Sequence, residues 1–153
     1  MAKKTTKSEH VHNVSPKEMN VKLLLEVMAF INVIAGLALI GIPVFLSGAV
    51  LGFPISEPGA IVVSRVAGAA ILSLGIVCWM LISEARSRTG KSLVTGMAVF
   101  NTLLMLVMVY AITIQNISSP GLWVVVLVYS VLAGWCIRTA INMRIVSIYQ
   151  KLF

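Results

Sequence analysis

Four long apolar stretches dominate the chain and restrict what it can fold into. They cover residues 21–46, 59–82, 93–114 and 122–141. Each stretch has about the 20 residues that a helix needs to cross a hydrocarbon core of about 30 Å. Of the 153 residues, 59% are hydrophobic and 11% charged, and a soluble domain this small cannot bury so much apolar surface. The sequence therefore predicts an all-α polytopic membrane protein, a four-helix antiparallel bundle with short connections.

Short segments flank this predicted transmembrane domain, which we place at residues 19–142. Residues 1–18 are polar and rich in lysine, so we expect a disordered basic cytoplasmic tail. Isoleucines recur at helical spacing near the other end, so 143–153 is expected to form an amphipathic cytoplasmic segment that extends the fourth helix or lies on the inner leaflet. Pro16, preceded by a serine, predicts a helix start, and Pro43 is expected to end or kink the first span.

The first connection, residues 47–58, is unusually apolar for a loop. It contains Val50, Leu51 and Phe53, and its only charged residue is Glu57. A solvated loop would not keep these side chains in water. We therefore expect the connection to lie along the lipid headgroups or to fold back over the bundle.

The basic residues fall almost entirely on one side of the predicted spans. The formal net charge is +7, yet the connections 47–58 and 115–121 contain no Lys or Arg. Short loops rich in Lys and Arg stay on the cytoplasmic side. We therefore expect both termini and the middle loop to be cytoplasmic, in a plasma (inner) membrane. The positive charge is interpreted as an orientation signal that meets anionic headgroups in the lipid bilayer, and not as a nucleic-acid site.

Residue types that carry catalysis are scarce in the apolar stretches. The two histidines, His10 and His12, lie in the tail, and Cys78 and Cys136 are not in a C-x-x-C pair. The two cysteines are predicted at similar depth and could be neighbours. We expect them to act as small apolar filler and not to form a disulfide. We expect no catalytic residue, no cofactor and no metal, and no enzymatic activity.

Arg65 is the most costly residue of the second stretch. It lies about two turns inside the span, where an arginine costs several kcal/mol unless it snorkels or pairs. Candidate partners are Glu57, a lipid phosphate, and the carbonyls or the Gln115 and Asn116 side chains of the connection 115–121. Two interpretations remain open, namely a clamp that holds the outer ends together, and a site for an anionic headgroup or substrate.

Glu26 lies one to two turns inside the first span, and Arg138 is predicted at a comparable depth in the fourth. An ion pair between them is one interpretation. The other is a proton- or cation-coupled transport site, because a lone carboxylate in a membrane can be desolvated. Small four-helix drug exporters do carry one glutamate in their first helix, but the rest of their pattern is missing here.

Asn32 and Asn101 are near mid-depth in the first and third spans, and an interhelical amide hydrogen bond would explain both. Three methionines share the Asn101 face of the third span, as flexible filler or as a surface for a partner: Met97, Met105 and Met108.

Small residues recur along the second span. Ser64, Gly68 and Gly75 form a stripe, and small residues let helix backbones approach closely in lipid. We expect this stripe to be a helix-packing face and the second span to be the central packing helix. A ligand groove is the alternative.

An arginine precedes a helix rich in Gly and Ala at residues 64–75, which read Ser-Arg-Val-Ala-Gly-Ala-Ala-Ile-Leu-Ser-Leu-Gly. The sequence Asn-Val-Ile-Ala-Gly at 32–36 has a similar character. With the four-span topology over 20–142, this pattern resembles small uncharacterised four-helix prokaryotic membrane proteins of the DoxX-like and DUF4345-like groups. The resemblance implies a four-span bundle that is sometimes accessory to redox complexes. It carries over no catalytic residue, and the two terminal segments are not part of it.

The function that these features favour is an accessory or scaffold subunit, without catalytic activity, that packs against another membrane protein or forms a homo-oligomer. The alternative is a small transporter or a lipid- or small-molecule-binding membrane protein, with Glu26 or Arg65 as the charge that faces the ligand.

Overall fold

The computed structural model describes residues 16–85 and 87–152, with side chains described at 20–85 and 87–143. This part of the chain is helical and contains no strand. Its helices are α1 (Pro16–Gly41), α2 (Pro43–Leu51), α3 (Pro58–Met80), α4 (Arg88–Thr113) and α5 (Pro120–Leu152). All but α2 are long and apolar enough to cross a membrane. The predicted all-α fold with four spanning helices is therefore confirmed.

Proline sets the start of most of these helices. Pro16, Pro43, Pro58 and Pro120 are each the first helical residue. Proline suits this position because the first turn does not need its missing N–H and its fixed φ already fits the helix. As expected at Pro43, the first span is interrupted, and α1 ends at Gly41.

The first connection begins within the short helix α2, which also takes in residues 43–46 of the predicted first span. It packs back onto the bundle, which was one of the two expectations for it. The helix is capped by Gly52, whose φ of 86° is a left-handed conformation that suits glycine. The Ser47 hydroxyl donates to the Val44 carbonyl (2.9 Å) and accepts from the Ile55 N–H (2.9 Å). These bonds hold the chain that follows α2 against the helix.

The start of α5 lies against α2. Ser119 accepts from the Leu122 N–H (3.1 Å) and caps α5, and its hydroxyl donates to the Val50 carbonyl. A Cβ at Gly121 would overlap the Ala49 carbonyl oxygen, so only glycine permits this approach. We call this side of the bundle, where α1 and α4 end and α3 and α5 begin, the α2 end.

α1, and not α3, is the central helix, so the prediction that the second span is central is wrong. One third (33%) of the most apolar window of α1 is buried, against 17% for α3. α3 packs chiefly on α1, and α4 packs chiefly on α5. The two pairs meet through α1, α2 and α5. The prediction failed because small residues occur on several sides of α3, but only the side that faces α1 packs closely against another helix.

The apolar core lies in the half of the bundle away from the α2 end. Its fully buried large side chains include Leu24, Leu25, Met28, Val94 and Met97. The large apolar side chains exposed on α3, α4 and α5 match a lipid environment.

α5 continues beyond the predicted end of the fourth span. Of the two expectations for the C-terminal segment, this is the extension of the fourth helix. The helix extends to Leu152. Of the basic tail predicted at 1–18, residues 1–15 lie outside the described residues, and residues 16–18 already belong to α1.

Candidate functional site

The lipid-facing side of α3 is shallow in its middle. Ala69, Ala70 and Ser73 are exposed, and the Ser73 hydroxyl donates to the Ala69 carbonyl of the same helix (2.8 Å). Val66 (65% exposed) and Arg65 lie beside them toward the α2 end. We call these five residues the shallow face of α3.

Arg65 is exposed on α3, about 10 Å along the helix from its start at Pro58. Within the described part of the chain, its guanidinium forms no ion pair with Glu57 and no hydrogen bond with Gln115 or Asn116. A clamp through the Glu57, Gln115 or Asn116 side chains is therefore not formed, whereas a clamp through a lipid phosphate stays a prediction. Arg65 remains available to a headgroup or to a partner.

Glu26 and Arg138 do not form the expected ion pair in the described part of the chain. Both side chains are exposed on the surface of the bundle. The physical reason is that the side chains which α1 and α5 bury in the core are mostly apolar, so the two charges are turned outward from it. Neither residue lines a path through the bundle interior.

The predicted packing stripe lies partly against α1. Gly68 and Gly75 are buried, whereas Ser64 is half-buried. A Cβ at Gly68 would lie 2.8 Å from the Gly36 carbonyl oxygen, and a Cβ at Gly36 would lie 2.6 Å from the Leu72 nitrogen. The two backbones therefore touch directly.

Sequence reasoning missed the partner position, Gly36, which was noted only as part of a resemblance. A usable signal was its spacing of seven residues from Ala29, because Gly68 and Gly75 have the same spacing. A Cβ at Gly75 would lie 3.1 Å from the Ala29 carbonyl oxygen. Matching seven-residue intervals keep two small-residue stripes facing each other along paired helices.

Asn32 and Asn101 are both fully buried, but the amide hydrogen bond expected between them is absent from the described residues. Each amide group instead donates to the carbonyl four residues earlier in its own helix. The acceptors are Met28 for Asn32 and Met97 for Asn101, at 2.8 Å in both cases. Both Oδ1 atoms are left buried without a hydrogen-bond partner.

The two cysteines are free and fully buried. Cys78 on α3 and Cys136 on α5 both belong to the buried core, and their direct contact stays a prediction. The Cys136 Sγ lies 3.4 Å from the Met28 Sδ on α1. In the described part of the chain, no three or more His, Cys, Asp or Glu side chains form a cluster that could hold a metal.

No protein-family model matches the chain, and comparison with curated proteins and solved structures gave no significant match. The resemblance to the DoxX-like and DUF4345-like groups therefore stays a prediction. What the residues themselves define is a bundle of four helices long and apolar enough to span a membrane, with a shallow surface on α3 that carries Arg65 and with two buried asparagines.

Proposed function

We propose that the protein is a non-catalytic membrane subunit that packs against another membrane protein through the shallow face of α3. The observation that carries the proposal is the exposure of Ala69, Ala70 and Ser73 in the middle of a spanning helix. A face of this shape is suited to a neighbouring helix.

Helix association in lipid depends on close packing, because lipid tails are as apolar as leucine. The α1–α3 contact shows how close two backbones in this protein come where side chains are small. The shallow face offers the same small side chains on the opposite side of α3, with no helix of the bundle packed on it. A partner helix would gain van der Waals contact there that lipid chains fill less well.

Arg65 specifies the chemistry of the partner. A guanidinium about 10 Å inside a span is stabilised when an acidic or polar group of another helix pairs with it. We therefore propose a partner helix that places a carboxylate or an amide opposite Arg65. A second copy of this chain could offer Gln115 or Asn116, just beyond the end of α4, to an Arg65 side chain that extends toward the α2 end, and the experiment below separates the two partners.

The proposed orientation places the α2 end outside and both termini in the cytoplasm. The connections at the α2 end carry no Lys or Arg, whereas Arg88 and Lys91 lie at the opposite end. This distribution supports a plasma (inner) membrane location with cytoplasmic termini.

Site-directed photocrosslinking in native membranes tests the proposal. A photoreactive amino acid at Ala70 should give a discrete protein adduct, whose mass spectrum identifies the partner. The matched control is Val99 on α4, which is 56% exposed and should give lipid adducts alone. Ala69→Leu should reduce the Ala70 adduct because the bulkier side chain fills the face, whereas Val99→Leu should not.

Two outcomes would overturn the proposal of a different partner protein. An adduct that contains only this chain would show a homo-oligomer. Lipid adducts at both Ala70 and Val99 would show that the shallow face meets lipid.

The exposure of Arg65 also favours a second candidate function, the binding of an anionic lipid or small molecule. Its test is mass spectrometry of the protein released from nanodiscs that contain a phosphatidylglycerol. Arg65→Gln should remove the bound anionic lipid, whereas Arg138→Gln, at another exposed arginine, should not. If Arg65→Gln and Glu26→Gln abolish lipid binding or transport but leave assembly intact, the scaffold function is wrong.

A further inference from the structure

Sulfur-bearing side chains from three helices lie in the buried core, in the half of the bundle away from the α2 end. The Met28 Sδ of α1 and the Cys136 Sγ of α5 are 3.4 Å apart, and Cys78 of α3 belongs to the same buried core. All three side chains are 0% exposed. We call Met28, Cys78 and Cys136 the sulfur cluster.

A buried amide lies against this cluster and is only partly hydrogen-bonded. The Asn101 Nδ2 lies 3.9 Å from the Cys136 Sγ and also donates to the Met97 carbonyl. The Asn101 Oδ1 has no partner, nor does the Oδ1 of Asn32, which lies one helical turn from Met28. Buried polar atoms without partners are uncommon, because each costs the free energy of its lost hydration.

We propose that the sulfur cluster binds one monovalent soft metal ion, with Cu(I) as the chemical class. Thiolate and thioether sulfurs prefer Cu(I), whereas ions such as Mg²⁺ prefer carboxylate and water oxygens. One thiolate and one Cu(I) form a neutral unit, which suits an apolar interior better than a divalent ion does. The Met28 thioether and the Cys136 thiolate supply the first two ligands, and Cys78 supplies the third as a neutral thiol that keeps its proton, so the unit stays neutral.

Binding needs no oxidant or reductant when the metal is supplied as Cu(I). The Cys136 thiol loses its proton to the aqueous phase, and a sulfur–copper bond forms in place of the S–H bond. The Asn101 N–H group faces the resulting thiolate and stabilises its charge, as a supporting group does around other metal sites. Cys78 lies in the last turn of α3, which ends at Met80, so the cluster is about one turn from the end of the bundle.

Competition between the protein and a Cu(I)-specific chelator tests the proposal. The probe is Cu(I) with the full chain in nanodiscs, carrying His10→Ala and His12→Ala so that the tail imidazoles cannot bind. One equivalent should bind. Cys136→Ser should weaken binding by about 100-fold or more, because even a lost supporting group costs about 10- to 100-fold. Met28→Leu should cost about 10-fold.

Met80→Leu is the matched control, since Met80 is 70% exposed and outside the cluster, and it should leave affinity unchanged. X-ray absorption of the copper-loaded parent protein gives a second measurement that needs no cluster variant to fold. Sulfur neighbours around the copper would support the site. The absence of tight Cu(I) binding, equal affinity in Cys136→Ser, or coordination by nitrogen and oxygen alone would overturn it.

Discussion

Glycines in the two helix pairs of this bundle have opposite surroundings. Gly36 and Gly68 bring α1 and α3 into backbone contact, and a Cβ at either would lie within 3 Å of the partner helix. Gly96 on α4 and Gly134 on α5 are exposed, and a Cβ at either would meet nothing within 4 Å. One residue type therefore fixes the spacing of one pair and leaves the other unaffected.

The difference shows that two mechanisms hold the bundle together. The α1–α3 pair is stabilised by close backbone approach over a small-residue contact. The α4–α5 pair packs through larger side chains, among them Val94 and Met97 on α4 and Leu132 on α5, which are buried. Substitutions that add a single methyl group separate the two mechanisms.

Gly36→Ala should have the largest effect. The added Cβ would lie 2.6 Å from the Leu72 nitrogen and 2.7 Å from the Gly68 carbonyl oxygen, and backbone atoms cannot move aside as a side chain can. Overpacking of this kind costs typically 1–3 kcal/mol, and we expect a value near 2–3 kcal/mol. Denaturant-induced unfolding of the reconstituted protein measures the change in the free energy of unfolding.

Gly68→Ala serves as the reciprocal substitution, and its loss should be similar. The double variant should lose less than the sum of the two, because both methyl groups push on the same contact. Full additivity would mean that α1 and α3 are not in direct backbone contact.

The sequence predicted the helices well but not their packing. Apolar length and the prolines indicate the spans, and Pro43 indicates the break after α1. The prediction that the second span is the central helix was wrong, because a helix that faces lipid is apolar on all sides and its hydrophobicity does not mark the buried face. The positions of the glycines alone did not identify the packed faces. Gly68 and Gly134 look alike in the sequence and differ in whether another helix lies against them.

Gly121→Ala should have the next largest effect, and it sharpens the comparison within one helix. α5 carries Gly121, which lies against α2, and Gly134, which meets nothing. The methyl group at position 121 would overlap the Ala49 carbonyl oxygen and displace α2. We expect a loss of about 2 kcal/mol confined to the α2 end. Hydrogen exchange should speed up in α2 and stay unchanged in the α1–α3 contact; equal acceleration in both would contradict this.

Ser119→Ala should have a smaller effect at the same end. It removes the cap of α5 and the hydrogen bond to the Val50 carbonyl, and a lost cap costs about 1 kcal/mol. Ser87→Ala is the matched control because Ser87 caps α4 through the Gly90 N–H. Both variants should lower the free energy of unfolding by about 1 kcal/mol. Only Ser119→Ala should speed up exchange in α2, and the same acceleration in Ser87→Ala would contradict the proposed link.

The candidate site was less predictable than the helices. Arg65, Glu26 and Arg138 were found because charges in apolar stretches are rare, yet the sequence could not say that all three side chains lie on the surface. Asn32 and Asn101 were expected to bond to each other, but a carbonyl four residues back in the same helix is closer and needs no alignment between helices. Partners across helices depend on rotation and depth, which composition does not set.

Gly134→Ala should have the smallest effect and the opposite sign. No atom opposes the new methyl group, and alanine in a helix is more stable than glycine by up to about 1 kcal/mol. The free energy of unfolding of the isolated protein should therefore stay equal or rise slightly, in contrast to Gly36→Ala.

The same comparison also tests for an additional contact on α5. If Gly134→Ala is neutral in purified protein but disrupts a complex in native membranes, a partner helix packs on α5 as well as on the shallow face of α3. If it destabilises the isolated protein as much as Gly36→Ala does, the contrast between the two helix pairs is wrong.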